Sequence, residues 1–384
     1  MKLLSLDKEN RLKNYLKNSN TENINLLIKE DGTFDASNLE ALKSQILKLL
    51  NNYIHEQPVQ KIKDLPPIEW HPYDENLMVD SKILLLGTFP PPSYLIEKHD
   101  WYNDNKLKAI EIGSLPDIPY FYGNMSSLWK ILEIDLSGLD RLEKKHKIIN
   151  ELRNKDIHIS DIILACQREI LMDGEQGNKS DNKSNKNRSA DSNLYNIVPN
   201  LRIIDNLLHF ENLDRIIFTS SNWDIQKKGA IADNSSTMGI FLKILNHFYQ
   251  VQAEFNNNWY NLNELSNNDL KQKLFVKYKK QSKKNKGINV EFGYKAPNFI
   301  KIRINKNGNS KELILIGLPS PSGMADQNLK NTIYFKLWKK YKESEGQICR
   351  KEDYRKDLYK LGFSKNVYDI ETLFRIQSID ISKE

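Results

Sequence analysis

Short apolar runs alternate with helical patterns between about residues 68 and 341, and this alternation predicts an α/β fold. The run Lys82–Leu86 lacks the polar positions of a half-exposed strand, so we expect it to be buried on both faces. The alternation of strands and helices predicts a central and mainly parallel sheet flanked by helices. The predicted strands are Lys82–Leu86, Ile157–Leu164, Arg215–Phe218 and Glu312–Gly317.

Apolar residues at helical spacing predict helices between these strands. One begins at Leu128 and a second covers Leu139–Leu152. A third is predicted to open at Pro199, because proline is well tolerated in the first turn of a helix. A fourth carries Leu329, Ile333, Leu337 and Tyr341.

The chain around this core divides into a domain and two extensions. Residues 1–65 are predicted to form a helical N-terminal extension, in which Ser37 and Glu40 make a capping box. Residues 66–345 form the α/β domain, and residues 346–384 a C-terminal extension.

Two insertions interrupt the predicted domain. The first, at about 171–190, is nearly all polar and is expected to be a loop. The second, at about 226–309, is predicted to be helical at first, then lysine-rich, and to end in a hairpin that turns at Asn307-Gly308.

Charge and cysteine content narrow the class of protein. The net charge is +7, and eight lysines fall within the sixteen residues Lys271–Lys286. Such a run is typical of a solvated loop or helix face, and in a DNA-binding protein it would neutralise phosphates. The two cysteines, Cys166 and Cys349, exclude a disulfide framework and a four-cysteine cluster, and we expect both to be small apolar groups that are buried or half-buried.

The chain carries neither a membrane span nor a secretory signal in its sequence pattern. Its longest apolar runs are about the length of Ile83–Leu86, far short of the roughly 20 residues of a membrane helix. The first residues contain no uninterrupted apolar region. We therefore expect a cytoplasmic protein with no membrane partner.

Five segments, in this order, carry a resemblance to a known family. They are ILLLGTFPPP (Ile83–Pro92), YFYGNMSSLWKIL (Tyr120–Leu132), IHISDIILACQRE (Ile157–Glu169), SADSNLYNIVPNL (Ser189–Leu201) and LIGLPSPSG (Leu315–Gly323). Together they resemble the motifs of the uracil-DNA glycosylase superfamily, and most closely its hypoxanthine-DNA glycosylase-like branch and related uncharacterised bacterial members.

The resemblance implies a monofunctional DNA glycosylase that flips a deaminated or modified base out of the stack and hydrolyses its N-glycosidic bond. It implies DNA as the partner and neither a metal nor an organic cofactor. We also expect the chain to act as a monomer. Asn124 and Asp161 are the implied catalytic residues. The implied base-binding residues are Thr88, Phe89, Tyr122, Ser126 and Ser127, and the implied DNA-binding residues are Pro319, Ser320, Ser322 and Met324.

The motifs also depart from the family pattern. Phe89 stands where the mainstream branches place Asp or Asn, and Leu318 stands where many place His. In this interpretation Asn124 replaces that Asp or Asn in positioning or activating the attacking water, and Ser126 and Ser127 are the alternatives. Asp161 is either a general base or the cap of a neighbouring loop, and Met324 is either a wedge in the DNA or core.

Three functions remain open from the sequence. The chain is a repair glycosylase, an antiviral glycosylase that removes a hypermodified cytosine from phage DNA, or a catalytically inactive DNA-binding relative. His71, His99 and His158 match no motif position, and we interpret them as ordinary polar histidines.

Overall fold

The computed structural model describes residues 69–73, 78–91, 94, 116–123, 126–168, 194–200, 203–204, 206–219, 237–255, 257–265, 276–281, 290–295, 298–321, 333–344, 346 and 350–364. The predicted N-terminal extension and the polar insertion at about 171–190 lie outside these residues.

Twelve strands and five α-helices have assigned bounds within this part of the chain. The strands are β1 (Glu69–Trp70), β2 (Ile83–Gly87), β3 (Ile157–Asp161), β4 (Ile163–Arg168), β5 (Leu194–Pro199), β6 (Arg215–Phe218), β7 (Gln250–Phe255), β8 (Asn258–Asn261), β9 (Val276–Gln281), β10 (Val290–Lys295), β11 (Asn298–Lys306) and β12 (Asn309–Gly317). The helices are α1 (Ser126–Ile131), α2 (Arg141–Asn154), α3 (Thr237–Phe248), α4 (Ile333–Ser344) and α5 (Lys351–Gly362).

The chain folds as two compact units, each assembled from three separate segments. The first unit contains residues 1–79, 89–116 and 161–211, and the second contains residues 80–88, 117–160 and 212–384. In the first unit, β1, β4 and β5 form an antiparallel sheet in the order β1-β4-β5.

A seven-stranded mixed sheet, in the order β3-β2-β6-β12-β11-β7-β8, forms the core of the second unit. β6 pairs in parallel with β2 on one side and with β12 on the other. The strands from β12 to β8 pair antiparallel. The α/β class is therefore confirmed, but the expected mainly parallel sheet is wrong: antiparallel pairs outnumber parallel ones among the described strands.

The second insertion explains the antiparallel half of the sheet. The expected hairpin at Asn307-Gly308 is confirmed, and its two-residue turn joins β11 to β12, so these strands run in opposite directions. Both turn residues have positive φ, 51° and 83°, as a tight hairpin turn requires. The insertion thus extends the central sheet with β7, β8 and β11.

Side-chain burial follows from these two kinds of pairing. Every residue of β2 and β6 is buried, as expected for parallel strands covered on both faces. In β11, by contrast, Ile300, Ile302 and Ile304 are buried at every second position. This strand therefore has one face in the core and one face that is partly solvated.

Most of the predicted elements are confirmed, with small shifts in their bounds. α2 begins after Asp140, whose carboxylate accepts hydrogen bonds from the amides of Leu142 and Glu143, while the Glu143 side chain accepts from the Asp140 amide. Such a capping box fixes the start of a helix. The predicted strand Ile157–Leu164 is split at Ile162 into β3 and β4, which belong to different sheets.

Two local predictions need correction. Pro199 is not the first residue of a helix: it ends β5, at the edge of its sheet, where the missing amide of a proline is tolerated. Ile203 and Ile204, further along the predicted helix, are helical. The lysine run is not only a loop or a helix face, because Val276–Gln281 forms strand β9. None of the helices in the described part of the chain has the length and apolar character needed to cross a membrane.

The hairpin turn gives a test of the sheet. A Cβ at Gly308 would meet no atom within 4 Å, so any cost of a side chain there comes from the backbone conformation. We expect Gly308→Val to lower the free energy of unfolding by about 1–2 kcal/mol, measured by urea denaturation. Asn307→Gly keeps the left-handed conformation accessible and should change it by less than about 0.5 kcal/mol. Equal stability of the two variants would contradict the turn geometry.

Candidate functional site

Three strand ends of the second unit meet at one edge of the seven-stranded sheet. The amide of Thr219 donates to the Leu86 carbonyl at 3.1 Å, and the amide of Leu318 donates to the Phe218 carbonyl at 2.8 Å. The loops after β2 and β12 therefore leave the same edge on either side of β6, roughly 10 Å apart at the usual strand spacing. Ligands of α/β sheets bind at such an edge.

Two hydroxyl pairs lie in this part of the second unit. Thr88 Oγ1 is 2.6 Å from Thr237 Oγ1, at the start of α3, and both residues are buried. Tyr122 Oη is 2.6 Å from Thr219 Oγ1. The sequence did not single out Thr219 or Thr237, because a threonine at a strand end or helix start carries no distinguishing pattern.

Tyr122 also has an unusual backbone. Its φ is 53°, in the left-handed region that a bulky residue adopts at a cost of about 1–2 kcal/mol. Such strain persists only where the surrounding structure imposes it, and it is concentrated at functional sites. The hydrogen bond to Thr219 fixes the ring in this conformation, so the strain marks the second motif as a candidate for binding.

The second and fifth motifs are joined by Ser127. Its hydroxyl donates to the Pro321 carbonyl at 2.7 Å. Ser126 begins α1, and Trp129 in the same helix is buried. Asn124, the first catalytic candidate, lies outside the described residues.

The closing motif is supported from the C-terminal segment of the chain. Pro319 is buried, and its carbonyl accepts a hydrogen bond of 2.9 Å from the Tyr359 hydroxyl in α5. Burial raises the pKa of Tyr359, so the phenol stays a neutral donor. Ser320 is half-buried, while Ser322 and Met324 lie outside the described residues.

In the first unit, Asp161 forms a buried pair with a histidine from a distant part of the chain. Asp161 Oδ2 accepts a hydrogen bond from His71 Nε2 at 2.9 Å, and both residues are buried. The sequence left Asp161 as either a general base or the cap of a neighbouring loop, and the structure gives its carboxylate a histidine partner 90 positions away in the chain. His71, interpreted as an ordinary histidine, is the partner that the sequence did not reveal.

Nδ1 of His71 can hydrogen-bond to the backbone of Tyr73 whether the imidazole is neutral or protonated. Nδ1 lies 3.2 Å from both the amide nitrogen and the carbonyl oxygen of Tyr73. In the neutral ring the Tyr73 amide donates to Nδ1, and in the cation Nδ1 donates to the Tyr73 carbonyl. In both states Nε2–H remains directed at Asp161, so the carboxylate keeps its donor.

Phe89, from the first motif, packs against the same imidazole. The two ring centroids are 5.7 Å apart at an interplanar angle of 82°, an edge-to-face contact. The fourth motif also reaches Asp161: Asn200 Nδ2 donates to its carbonyl at 3.2 Å. The first unit therefore brings residues of the first, third and fourth motifs to His71 and Asp161.

This arrangement supplies a carboxylate held in a fixed position beside an aromatic ring. Within the described residues, the only hydrogen bond found for the Asp161 carboxylate is the one at Oδ2, which leaves Oδ1 for a water or a substrate proton. A carboxylate so placed can act as a general base or stabilise a nearby positive charge. In the described part of the chain, no group of three or more His, Cys, Asp or Glu residues is arranged to hold a metal ion.

Comparison with known proteins gives no match to any family model, to any curated protein or to any solved structure.

The His71–Asp161 pair can be tested by a double-mutant cycle. Asp161→Ala and His71→Leu should each lower the free energy of unfolding by about 1–3 kcal/mol, because each removes one partner of the buried hydrogen bond between Nε2 and Oδ2. The double variant should lose less than the sum of the two. Urea denaturation measures all three, and strict additivity would contradict a direct interaction.

The support of the closing motif can be tested at Tyr359. Tyr359→Phe leaves the buried Pro319 carbonyl without its donor, so we expect a loss of about 1–3 kcal/mol in the free energy of unfolding. Tyr260→Phe is a matched control, since Tyr260 is 36% exposed. It should be nearly neutral, and a similar loss in both variants would count against the hydrogen bond.

Proposed function

We propose that this protein is a DNA glycosylase of the uracil-DNA glycosylase type, which hydrolyses the N-glycosidic bond of a deaminated or modified base and leaves an abasic site. The observation that carries the proposal is the buried pair of Asp161 and His71 beside Phe89. This pair joins the residues of three separate motifs in one place.

The proposed chemistry needs one water and one fixed carboxylate. The C1′–N bond breaks, the sugar develops positive charge, and water adds its oxygen to C1′. Asp161 takes the proton of that water or stabilises the cation-like sugar. The departing base carries the bonding electron pair and is stabilised by donors arranged in advance.

His71 is a positioning residue in this proposal, since both of its nitrogens are engaged within the protein. It orients Asp161 through Nε2 and is itself held by the Tyr73 backbone. Its removal should therefore lower kcat with little change in KM. His71→Gln should restore part of the rate, because its amide nitrogen can replace Nε2 as the donor, whereas His71→Leu should not.

The loops of the second unit support a role in holding DNA. Those after β2 and β12 leave the same sheet edge, as in the family to which the motifs are similar. The Ser127 and Tyr359 bonds fix the second of these loops. Fixed backbone groups of this kind can hold phosphates and set the register of a protein on DNA.

One observation favours a second candidate, an inactive DNA-binding relative. Phe89 stands at the third position of the first motif, where Asp or Asn would act on water, and the residue is only 8% exposed. A ring so covered offers little area for stacking on a flipped base. The retained carboxylate of Asp161 favours the enzyme over this alternative.

Alkaline cleavage at abasic sites tests the proposal. The protein is incubated with duplexes that carry uracil, hypoxanthine or glucosylated hydroxymethylcytosine, and with phage genomic DNA. Strand breaks on at least one of these are expected, and breaks on phage DNA or the glucosylated duplex alone would indicate the antiviral role. If the protein binds DNA but produces no breaks in any of these substrates, it is the inactive DNA-binding relative and not a glycosylase.

On the substrate that is cut, Asp161→Asn should lower the rate about 100-fold or more, the usual contribution of a general base. Asp117→Asn is the matched control: its carboxylate is 68% exposed and pairs with Lys144 at the surface. This control should cut at the wild-type rate. Normal cutting by Asp161→Asn would remove Asp161 from the mechanism.

A further inference from the structure

One edge of the seven-stranded sheet is open to solvent. β3 ends the sheet on one side, and all five of its residues are buried. β8 ends the sheet on the other side, and three of its four residues are exposed. Tyr260 in β8 is one of three large apolar side chains that are exposed in the described part of the chain. β8 is therefore the edge at which a further strand can be added.

The register of β8 on β7 shows which backbone groups point away from the sheet. Phe255 pairs with Asn258 across a two-residue turn, so these two residues exchange the hydrogen bonds that close the hairpin. Hydrogen-bonded and non-hydrogen-bonded pairs alternate along an antiparallel ladder. Tyr260 therefore bonds to β7, whereas the amide and carbonyl groups of Trp259 and Asn261 are directed away from it.

β8 lacks the features that normally prevent strand addition at an edge. Natural edge strands are protected by charged side chains, by proline or by a bulge. Asn258–Asn261 has the sequence NWYN, which contains neither a charged residue nor a proline. Its four pairs with β7 follow one another without a bulge. An edge strand of this kind is a template for pairing with another strand.

The charged side chains on the strands beside β8 balance each other. Glu254 Oε2 lies 3.8 Å from Lys301 Nζ. Arg303 pairs with Glu312, and its guanidinium lies over the Trp259 ring at 4.2 Å from the centroid. A nucleic acid or a charged peptide therefore meets no excess of opposite charge at this edge. An uncharged strand fits it, and a second copy of β8 is such a strand.

One antiparallel register between two copies of β8 uses all of the outward groups. With a two-fold axis at Tyr260, this residue is opposite Tyr260 of the partner subunit. Trp259 is then opposite the partner subunit's Asn261, and the two residues exchange backbone hydrogen bonds. An axis at Trp259 or at Asn261 would leave the other of these two residues without a strand partner.

We propose that β8 pairs with β8 of a second copy of the chain about a two-fold axis at Tyr260, so that two seven-stranded sheets become one. Ala253, opposite Tyr260 in β7, is buried, so the Tyr260 ring lies on the core side of the sheet. The two rings meet as a cross-strand aromatic pair, which stabilises antiparallel sheets.

The proposed dimer is closed and weak. Both copies use the same edge, so association stops at two chains. A pair of four-residue strands covers little surface, which is typical of transient rather than permanent contacts. The proposal departs from the expectation of a monomer, and it does not depend on the proposed glycosylase activity.

Sedimentation velocity of the full chain tests the association. The average mass should rise from that of one chain toward that of two as the concentration is raised from about 5 to about 500 µM, the range of a weak dimer. A mass of one chain at every concentration, or growth beyond two chains, would overturn the proposal.

A proline variant removes an outward hydrogen bond without affecting the pairing with β7. Asn261 has φ of −64°, which is the angle that proline requires, and its amide points away from β7. Asn261→Pro should therefore stay monomeric over the whole concentration range. Asn261→Ala keeps the amide and should associate like the wild type. Association of the proline variant at the wild-type level would overturn the proposal.

Disulfide formation tests the register and does not rely on the proline variant being folded. Cα atoms of a non-hydrogen-bonded antiparallel pair are about 4.5 Å apart, a separation that a disulfide can span. Tyr260→Cys should give a covalent dimer in air, with dissolved oxygen accepting the two electrons and two protons of the thiol pair. Asn261→Cys, on the opposite face, should give far less. The wild type, with Cys166 and Cys349, provides the background. Equal yields from the two variants would contradict the register.

A charge pair tests the two-fold axis itself. Tyr260→Lys and Tyr260→Glu each place like charges directly opposite one another, so each variant alone should be monomeric. A mixture of the two should associate again, because opposite charges then meet. Leu142→Lys adds a charge at a side chain that is 62% exposed in α2 and should associate like the wild type. A mixture that stays monomeric would show that Tyr260 does not face its own copy.

Discussion

Parallel pairing on both sides of β6 is the constraint on which the second unit depends. Because β2, β6 and β12 run in the same direction and lie side by side, their carboxyl ends must meet at one edge. The residues that follow them, Thr88, Thr219 and Leu318, are about 100 positions or more apart in the chain and are brought together by this backbone pairing. The Thr88–Thr237 and Tyr122–Thr219 contacts then fix the side chains at that edge.

In the first unit, the cost of burying charge imposes a different constraint. A carboxylate removed from water is unstable unless donors replace the lost hydration. The Asp161 carboxylate accepts a hydrogen bond from His71 Nε2. The imidazole of His71 is in turn held by a hydrogen bond between Nδ1 and the backbone amide of Tyr73. The result is a carboxylate held in a single orientation, which is also what general-base chemistry demands.

The sequence predicted the apolar elements well and the polar partnerships poorly. Buried strands such as β2 and β6 are continuous apolar runs in the sequence. The Asn-Gly dipeptide at 307–308 is typical of a two-residue hairpin turn and of few other local structures. The sheet order was beyond reach, because no local pattern tells which strand pairs with which. β9 was not predicted for a related reason. Val276 and Tyr278 alternate with lysines, and a lysine-rich segment is equally typical of a solvated loop.

The partner of Asp161 shows the same limit at the site itself. The sequence identified Asp161 from its place at the end of a strand, but His71 follows a strand of only two residues and has no periodic neighbours. Long-range hydrogen bonds leave no mark on local composition. Thr219 and Thr237 were missed on the same grounds.

The segmental make-up of the two units limits how the protein can be divided. Since each is built from three stretches of chain, no single cut yields either one as a continuous fragment. A truncation that removes one of these stretches would therefore leave the unit to which it belongs incomplete. A protease nick at a boundary between the stretches should leave the two fragments associated, because both fragments contribute to at least one of the units.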